Sequence, residues 1–303
     1  MWLIFAFSGP VLWAASTHID KYLVERFFKD SDVGVLLIFT GLIGILPLPI
    51  IAAFRPQIIA IAPVSIAVIV LSGLLYMGAM FFYLRALQSE EASVISPLFQ
   101  ITPIFVYGLA WIVLHETLSG QQMLGGALIM ASALLISIRP HQGGLRFKAG
   151  TVALMLACAF SLALSSVIFK FFAIRDEFWT TTFWTFVGNV IFGAGLLAIP
   201  DYRREFAGMF KAHPIAVLSI NGANELINLG GGLGARYAAL IAPVSLVQAI
   251  GSTSPLFVFL FGIALSLVAP KLGREDLSAR SLIQKGVAAL LVIGGVMLIG
   301  PAR

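Results

Sequence analysis

The chain has 303 residues, of which 59% are hydrophobic and 11% charged, and its mean hydropathy is +1.00. Most segments therefore carry too little polar surface to coat a water-soluble globule, which excludes the soluble fold classes. The net charge of +5 does not indicate nucleic-acid binding, because the basic residues are spread over short loops rather than gathered in one patch.

Apolar runs long enough to span a bilayer follow one another along the whole chain. They cover residues 2–20, 33–54, 63–87, 92–114, 121–138, 150–173, 178–199, 214–240, 243–268 and 282–300. These runs predict an all-α integral membrane protein with ten transmembrane helices. The first run has no Lys or Arg before it and no small-residue cleavage site, so we interpret it as a retained helix rather than a signal peptide.

The distribution of charge predicts the orientation of these helices. Alternate loops carry 14 of the 19 Lys and Arg residues, and the other side carries 5. By the positive-inside rule the 14-charge side is cytoplasmic, so both termini are predicted to lie outside the cytoplasm, in the inner membrane of a bacterium. The single cysteine, Cys158, lies in the sixth run, excludes an intrachain disulfide and is interpreted as packing.

The two halves of the chain align weakly but in order. An offset of about 152 residues pairs Gly78 with Gly230, Ala86 with Ala238, Ser93 with Ser245, Pro103 with Pro255 and Phe105 with Phe257. Near the start the offset is about 149 and pairs Lys21 with Lys170. Because each half has five runs, the second half is predicted to enter the membrane upside down, as an inverted repeat. The repeats are residues 1–139 and 150–303, joined by a linker at 140–149.

The first half carries motifs of a known family. In order they are Ala86-Leu87, the helix-interrupting Pro103, Glu116 and Gly125-Gly126. This pattern resembles the EamA repeat of the drug/metabolite transporter superfamily. In the second half an insertion at residues 270–280 replaces the glutamate. The resemblance implies a ten-helix fold around a central cavity lined by helices 1, 3, 4, 6, 8 and 9, and a secondary carrier function without a named substrate.

The eighth run contains a polar stripe. Asn221, Asn224, Glu225 and Asn228 fall within roughly a 100° arc of one helix face. Glu225 is predicted to lie near the bilayer midplane, where a charge is expensive and indicates a substrate or ion site. The alternative is a buried hydrogen-bond cluster that holds this helix against its neighbours.

The third run is predicted to supply the facing wall. The repeat maps the polar stripe onto Ile69, Ser72, Gly73 and Tyr76, and the same face continues to Met80 and Tyr83. An amphipathic ligand with a protonated amine would pair with Glu225 or lie over a tyrosine ring.

Further candidates line the same predicted cavity or its mouths. Matched polar positions in the fourth and ninth runs, close to helix-interrupting prolines, are Ser96 with Gln248 and Gln100 with Ser252. Trp13 is a binding candidate in the first run. His18 could relay protons to Glu225 or cap a helix end, because imidazole titrates near neutral pH. Lys21 and Lys170 are candidate gate charges or interfacial anchors.

The leading hypothesis is a secondary active transporter of a small metabolite or amphipathic amine- or amino-acid-like compound, an exporter that works by alternating access and is coupled to protons. The first alternative is a carrier of an anionic phosphorylated metabolite or lipid headgroup, received by Lys21, Lys170, Arg85 and Arg236. A non-transporting membrane enzyme or assembly protein is the alternative from another class. The sequence predicts no catalytic residues, cofactor or metal site, and leaves monomer and homodimer open.

Overall fold

The computed structural model describes residues 1–26, 32–90, 92–137, 148–212, 214–268 and 278–300, and every regular element within these ranges is helical. The α-helices in chain order are α1 Trp2–Arg26, α2 Val33–Ile43, α3 Pro47–Phe54, α4 Pro63–Ser89, α5 Ala92–Phe99, α6 Thr102–Val113, α7 Gly120–Ser137, α8 Ala149–Arg175, α9 Phe178–Ala198, α10 Pro200–Ala212, α11 Pro214–Ala216, α12 Gly222–Ile241, α13 Val244–Gly251, α14 Ser254–Val268 and α15 Ala279–Ile299. A 3₁₀ turn covers Pro56–Ile59 and a π-helical turn covers Val217–Asn221.

Every predicted apolar run contains helix, which confirms an all-helical membrane protein. Within the described ranges, eight helical segments are long and apolar enough to cross a membrane. The other two runs differ from the prediction in length or polarity. The segment Pro97–Val113 is shorter, and α12 carries both Glu225 and Arg236. Most of the predicted linker at 140–149 lies outside the described residues.

The fourth and ninth apolar runs are each interrupted at a proline. α6 and α14 each begin one residue before a proline, at Pro103 and Pro255. Proline has no N–H to donate to the preceding turn, so it fits the start of a helix and disrupts its interior. The helix breaks therefore fall at matching positions in the two halves, as the sequence predicts.

One helix was not predicted. The sequence treats residues 200–213 as a basic loop, whereas the structure forms α10 there. Phe206 and Met209 of α10 pack in an apolar cluster with Leu23 of α1 and Val35 of α2. A helix of 13 residues with only one apolar face is too short and too polar to register as a span, although it still buries that face.

Glycine contacts bring several helix pairs close together. α1 packs along α12, α8 along α4, α7 along α15, and α9 along α2 and α4. Gly125 of α7 faces the backbone of Gly295 of α15, and a Cβ added at Gly125 would lie 2.6 Å from the Gly295 carbonyl oxygen. Small residues allow membrane helices to approach to backbone contact.

Polar contacts tie the loops together at the two ends of the bundle. At one end Arg85 of α4 contacts Asp32 at 3.1 Å and Tyr202 of α10 at 3.0 Å. We call this the basic end, because its loops carry most of the Lys and Arg residues. At the opposite end Arg55 contacts Glu177 at 3.3 Å.

Candidate functional site

Glu225 lies in a buried polar cluster between three helices. Its side chain is in the first turn of α12, directly after the π turn, and the residue is 7% exposed. Glu225 Oε1 accepts a hydrogen bond of 2.6 Å from Thr40 Oγ1 of α2, and the Asn228 side chain lies beside the same carboxylate. Asn221 and Asn224 are also buried. The structure therefore brings the predicted polar stripe into the protein interior rather than towards lipid.

Asp20 of α1 joins this cluster, and sequence reasoning missed it. Asn224 Nδ2 donates to Asp20 Oδ1 at 2.6 Å, and Ser16 Oγ donates to Asp20 Oδ2 at 3.3 Å. The first predicted run ends at residue 20, so Asp20 looks like a residue of the membrane surface. α1 instead continues to Arg26, which places Asp20 within the helix. The spacing of Ser16 and Asp20, four residues apart on one helix face, is the signal that could have identified the pair.

The predicted aromatic wall of α4 divides into two parts. Tyr76 and Met80 pack in an apolar cluster with residues of α2 and α9, and Tyr76 lies close enough to Glu225 and Arg236 to interact electrostatically with both. Tyr83 instead packs edge-on against Phe99, with ring centroids 5.4 Å apart. Tyr76 therefore lies within electrostatic range of Glu225, and Tyr83 lies within electrostatic range of Asp20.

Arg236 introduces a positive charge into the same region. It lies 11 residues after Glu225, which on an ideal helix is about 16 Å along the axis and within about 20° of the same face. The guanidinium carbon lies 5.0 Å from the ring centroid of Phe169 and 5.2 Å from that of Phe186. Both Arg236 and Tyr76 are partly exposed.

Trp13 and the candidates of the ninth run also point inwards. The Trp13 ring lies against Gly231 of α12, where an added Cβ would be 3.0 Å from the indole nitrogen. Gln248 Nε2 of α13 donates to Ser166 Oγ of α8 at 2.8 Å. Ser252 lies one turn later, and its hydroxyl donates to the Gln248 carbonyl oxygen at 3.4 Å.

Residues of the fourth run are described only in part. Gln100 is buried at the turn between α5 and α6. The side chain of Ser96 lies outside the described residues, so its predicted match with Gln248 stays a prediction.

Of the gating and proton-relay candidates, His18 and Lys170 bond to groups other than Glu225. The His18 Nε2 atom lies 2.9 Å from the Val258 carbonyl oxygen of α14, on a different side of α1 from Asp20. Lys170 forms a buried ion pair with Glu116 at the opposite end of the bundle. The side chain of Lys21 lies outside the described residues.

The Lys170 ion pair joins three segments. Lys170 Nζ also donates to the Ala242 carbonyl oxygen, and Glu116 Oε2 accepts a 3.0 Å hydrogen bond from the Val244 backbone N–H. These contacts hold α8, the turn after α6 and the start of α13 together. A buried lysine that contacts both a carboxylate and a carbonyl oxygen favours a role in closing this end of the bundle.

The polar cluster is distinct from the grooves on the outer surface. One groove runs along α1 at Leu3, Phe7 and Val11, and another lies at Trp111 and His115. Their outward apolar side chains suit contact with lipid. Among the described residues, no group of three or more His, Cys, Asp or Glu side chains could hold a metal ion.

Comparison with known proteins shows a family likeness in the first half. A model of the EamA-like transporter family matches residues 1–138. The EamA family is part of the drug/metabolite transporter superfamily, so the resemblance predicted from the sequence is confirmed. Asp20, Thr40 and Tyr76 lie within the EamA match, whereas Glu225 and Arg236 lie beyond it.

The fold is shared with solved structures over nearly the whole chain. One crystal structure of a protein has a TM-score of 0.66 and 15% sequence identity, and the alignment covers 98% of this chain and 95% of the other. At this identity the likeness shows the fold alone. No curated protein sequence matches the chain.

Proposed function

We propose that this protein is a secondary active transporter of a small amphipathic organic compound that carries an amine or amino-acid group. The observation that carries the proposal is the buried Glu225, held by α1, α2 and α12 inside a membrane protein with an EamA-family first half. Intramembrane carboxylates are costly and line substrate or ion pathways. A transporter needs no catalytic group, so we propose no enzymatic activity.

Alternating access between two inverted five-helix halves is the proposed mechanism. Helix packing supports two related halves, because α1 packs along α12 as α8 packs along α4, while α7 packs on α15 and α2 on α9. These pairs exchange under a two-fold operation that relates the first five apolar runs to the last five. Rocking of such halves around a central site is the general behaviour of inverted-repeat carriers.

The ligand amine would bind where charge and aromatic surface meet. Glu225 provides the anion, and Tyr76 provides a ring within electrostatic range of it. Cation–π contact contributes about 0.5–2 kcal/mol, depending on desolvation. Asn221, Asn224 and Asn228 would orient the polar part of the ligand, with Met80, Tyr83, Trp13, Ser96, Gln100, Gln248 and Ser252 as the further proposed lining.

Counterflow in proteoliposomes tests this proposal. The purified chain is reconstituted and loaded with phenylethylamine or tryptamine, and uptake of the labelled amine is followed with and without a pH gradient. Glu225→Gln is expected to abolish uptake or its pH dependence, since the amide keeps the shape and loses the charge. Glu177→Gln, at an exposed ion pair, is the matched control. Wild-type uptake and pH dependence in Glu225→Gln would refute the role of this carboxylate.

An anionic substrate is the second candidate, and Arg236 is the observation that favours it. Lys170 and Arg85 are both engaged in ion pairs. Arg236 faces two aromatic rings, and no carboxylate pairs with it among the described residues. Arg236→Met should abolish exchange of a phosphorylated metabolite or a phospholipid headgroup and spare amine exchange, whereas Glu225→Gln should do the reverse.

The charge distribution also supports an orientation of the chain in the membrane. The excess of Lys and Arg at the basic end supports a cytoplasmic location for that end and an external location for both termini, in a bacterial inner membrane. We propose export coupled to protons. Accessibility of single cysteines introduced near each terminus to an impermeant reagent in intact cells tests the orientation.

A further inference from the structure

Two three-helix junctions in this bundle have related sequences. Offsets of about 149 and 152 residues relate α1, α2 and α12 to α8, α9 and α4. The related positions are Ser16 and Ser165, Asp20 and Phe169, Thr40 and Asn189, Asn224 and Ser72, and Glu225 and Gly73. The two acids of the first junction therefore occupy positions where the second junction has an aromatic ring and a glycine.

The second junction closes by direct backbone contact. Ser165 Oγ donates to the Ser72 carbonyl oxygen at 2.8 Å. A Cβ added at Gly73 would collide with the Thr185 carbonyl oxygen and lie 3.0 Å from Gly188 Cα. Glycines and hydroxyls suffice to hold α4, α8 and α9 together, and none of the five related positions in this junction is ionisable.

The first junction closes through its two acids instead. Asn224 Nδ2 donates to Asp20 at 2.6 Å, and Thr40 Oγ1 donates to Glu225 at 2.6 Å. Asn224, which bonds to Asp20, directly precedes Glu225 in the chain, so the two carboxylates lie in one cluster where their charges repel. Asp20 is exposed, whereas Glu225 is 7% exposed, so the repulsion acts on a buried carboxylate that has little solvent to screen its charge.

The described side chains around this pair do not include a cationic partner. α4 contributes Tyr76 and Tyr83, and α2 contributes only the Thr40 hydroxyl. On α12, Arg236 is about three helical turns away and faces aromatic rings. On α1, His18 bonds to α14, and the side chain of Lys21 lies outside the described residues. Among the described side chains, no ion pair includes either acid.

A second observation indicates a missing donor. Asn224 is fully buried, and its amide contacts Asp20 through Nδ2 while its Oδ1 atom has no hydrogen-bond partner. A buried acceptor without a donor is costly. One proton on a neighbouring acid would have two effects. Its O–H group could donate to Asn224 Oδ1, and the loss of one negative charge would remove the repulsion between the acids.

We propose that Asp20 and Glu225 form a paired-acid site that holds one proton across the junction of α1, α2 and α12. This deepens the proposed function and rests on it, because the pair would be the place where proton movement is coupled to transport. Separation of the two acids on opening of the junction removes their repulsion and releases the proton. The neutral, glycine-packed junction of α4, α8 and α9 stays closed as the fixed counterpart.

Thermal unfolding of the full chain in detergent, without substrate, tests the pair at pH 5.5 and pH 8.5. The wild type is expected to lose several degrees of apparent unfolding temperature at pH 8.5, where the shared proton leaves and the two charges repel. Asp20→Asn and Glu225→Gln should each abolish this loss, because a neutral amide replaces one acid. The double variant should add little to either single variant. Glu177→Gln, at a half-exposed acid that caps α9 away from the pair, should keep the wild-type difference in unfolding temperature between the two pH values.

Two results of the unfolding experiment would overturn the proposal. A pH-independent wild type shows that the acids do not share a proton, and it leaves the transporter proposal intact. Rescue at pH 8.5 by sodium chloride but not by choline chloride shows a sodium site instead. If the variants do not fold, the wild type can be labelled instead with a hydrophobic carbodiimide, which reacts with protonated carboxyl groups. One adduct on the pair at pH 6 supports the proposal, and no adduct on either acid overturns it.

Discussion

Gly188→Ala is expected to force α4 and α9 apart. A Cβ added at Gly188 would collide with the Val70 carbonyl oxygen and lie 3.0 Å from Gly73 Cα. Both atoms belong to the backbone of α4, so no change of rotamer can relieve the contact. The two helices must separate, and the hydrogen bond between Ser72 and Thr185 across the same interface, 3.3 Å long, lengthens with them.

The size of the effect follows from two opposing contributions. Overpacking lowers the free energy of unfolding by about 1–3 kcal/mol. We place this contact at the upper end, about 3 kcal/mol, because neither helix backbone can move aside locally. Alanine regains about 0.5–1 kcal/mol of helix propensity relative to glycine. The net loss is therefore about 2 kcal/mol. Gly195→Ala on the same helix meets nothing within 4 Å and should gain the propensity alone.

The apparent unfolding temperature of the purified protein in detergent measures this difference. Gly188→Ala should unfold several degrees below the wild type, and Gly195→Ala at or slightly above it. Gly73→Ala should reproduce the loss from the other side of the interface. If Gly188→Ala is as stable as Gly195→Ala, α4 and α9 do not meet at these glycines and the reasoning is refuted.

Two further substitutions probe other contacts. Lys170→Met leaves the Glu116 carboxylate without its partner and should cost about 3–5 kcal/mol, and a second change, Glu116→Gln, should recover much of this loss in thermal unfolding. Equal unfolding temperatures for Lys170→Met and the wild type would contradict a buried pair. Gly231→Ala presses on the Trp13 indole and should lower the unfolding temperature, whereas Gly232→Ala, with nothing within 4 Å, should not. Identical effects of the two changes would show that Trp13 does not pack there.

Some of the candidate site follows from local pattern. The polar stripe around Glu225 is visible in the sequence because four polar residues on one helix face stand out in an apolar run. Pro103 and Pro255 predict the matching helix interruptions, because proline acts on its own turn. In each case the cause lies within a few residues of its effect.

The partners of the site could not be predicted in this way. Asp20 meets Asn224 from 204 positions away, and His18 turns to Val258 instead of to Glu225. Helical periodicity indicates which residues share a face but not which helix that face meets. The predicted proton relay through His18 therefore has no support in the observed contacts, while Asp20, which no sequence pattern singled out, lies in the polar cluster.

Hydropathy and motif spacing by themselves determined that this is a multi-helix membrane protein with an EamA-like first half, because burial in lipid demands long apolar runs whatever the packing. Only the tertiary structure decided that Glu225 is paired with Thr40 beside Asp20, that Lys170 is bound by Glu116, and that Arg236 faces aromatic rings. Side-chain contacts between helices depend on how their faces rotate and approach, and that arrangement is set by all the helices together.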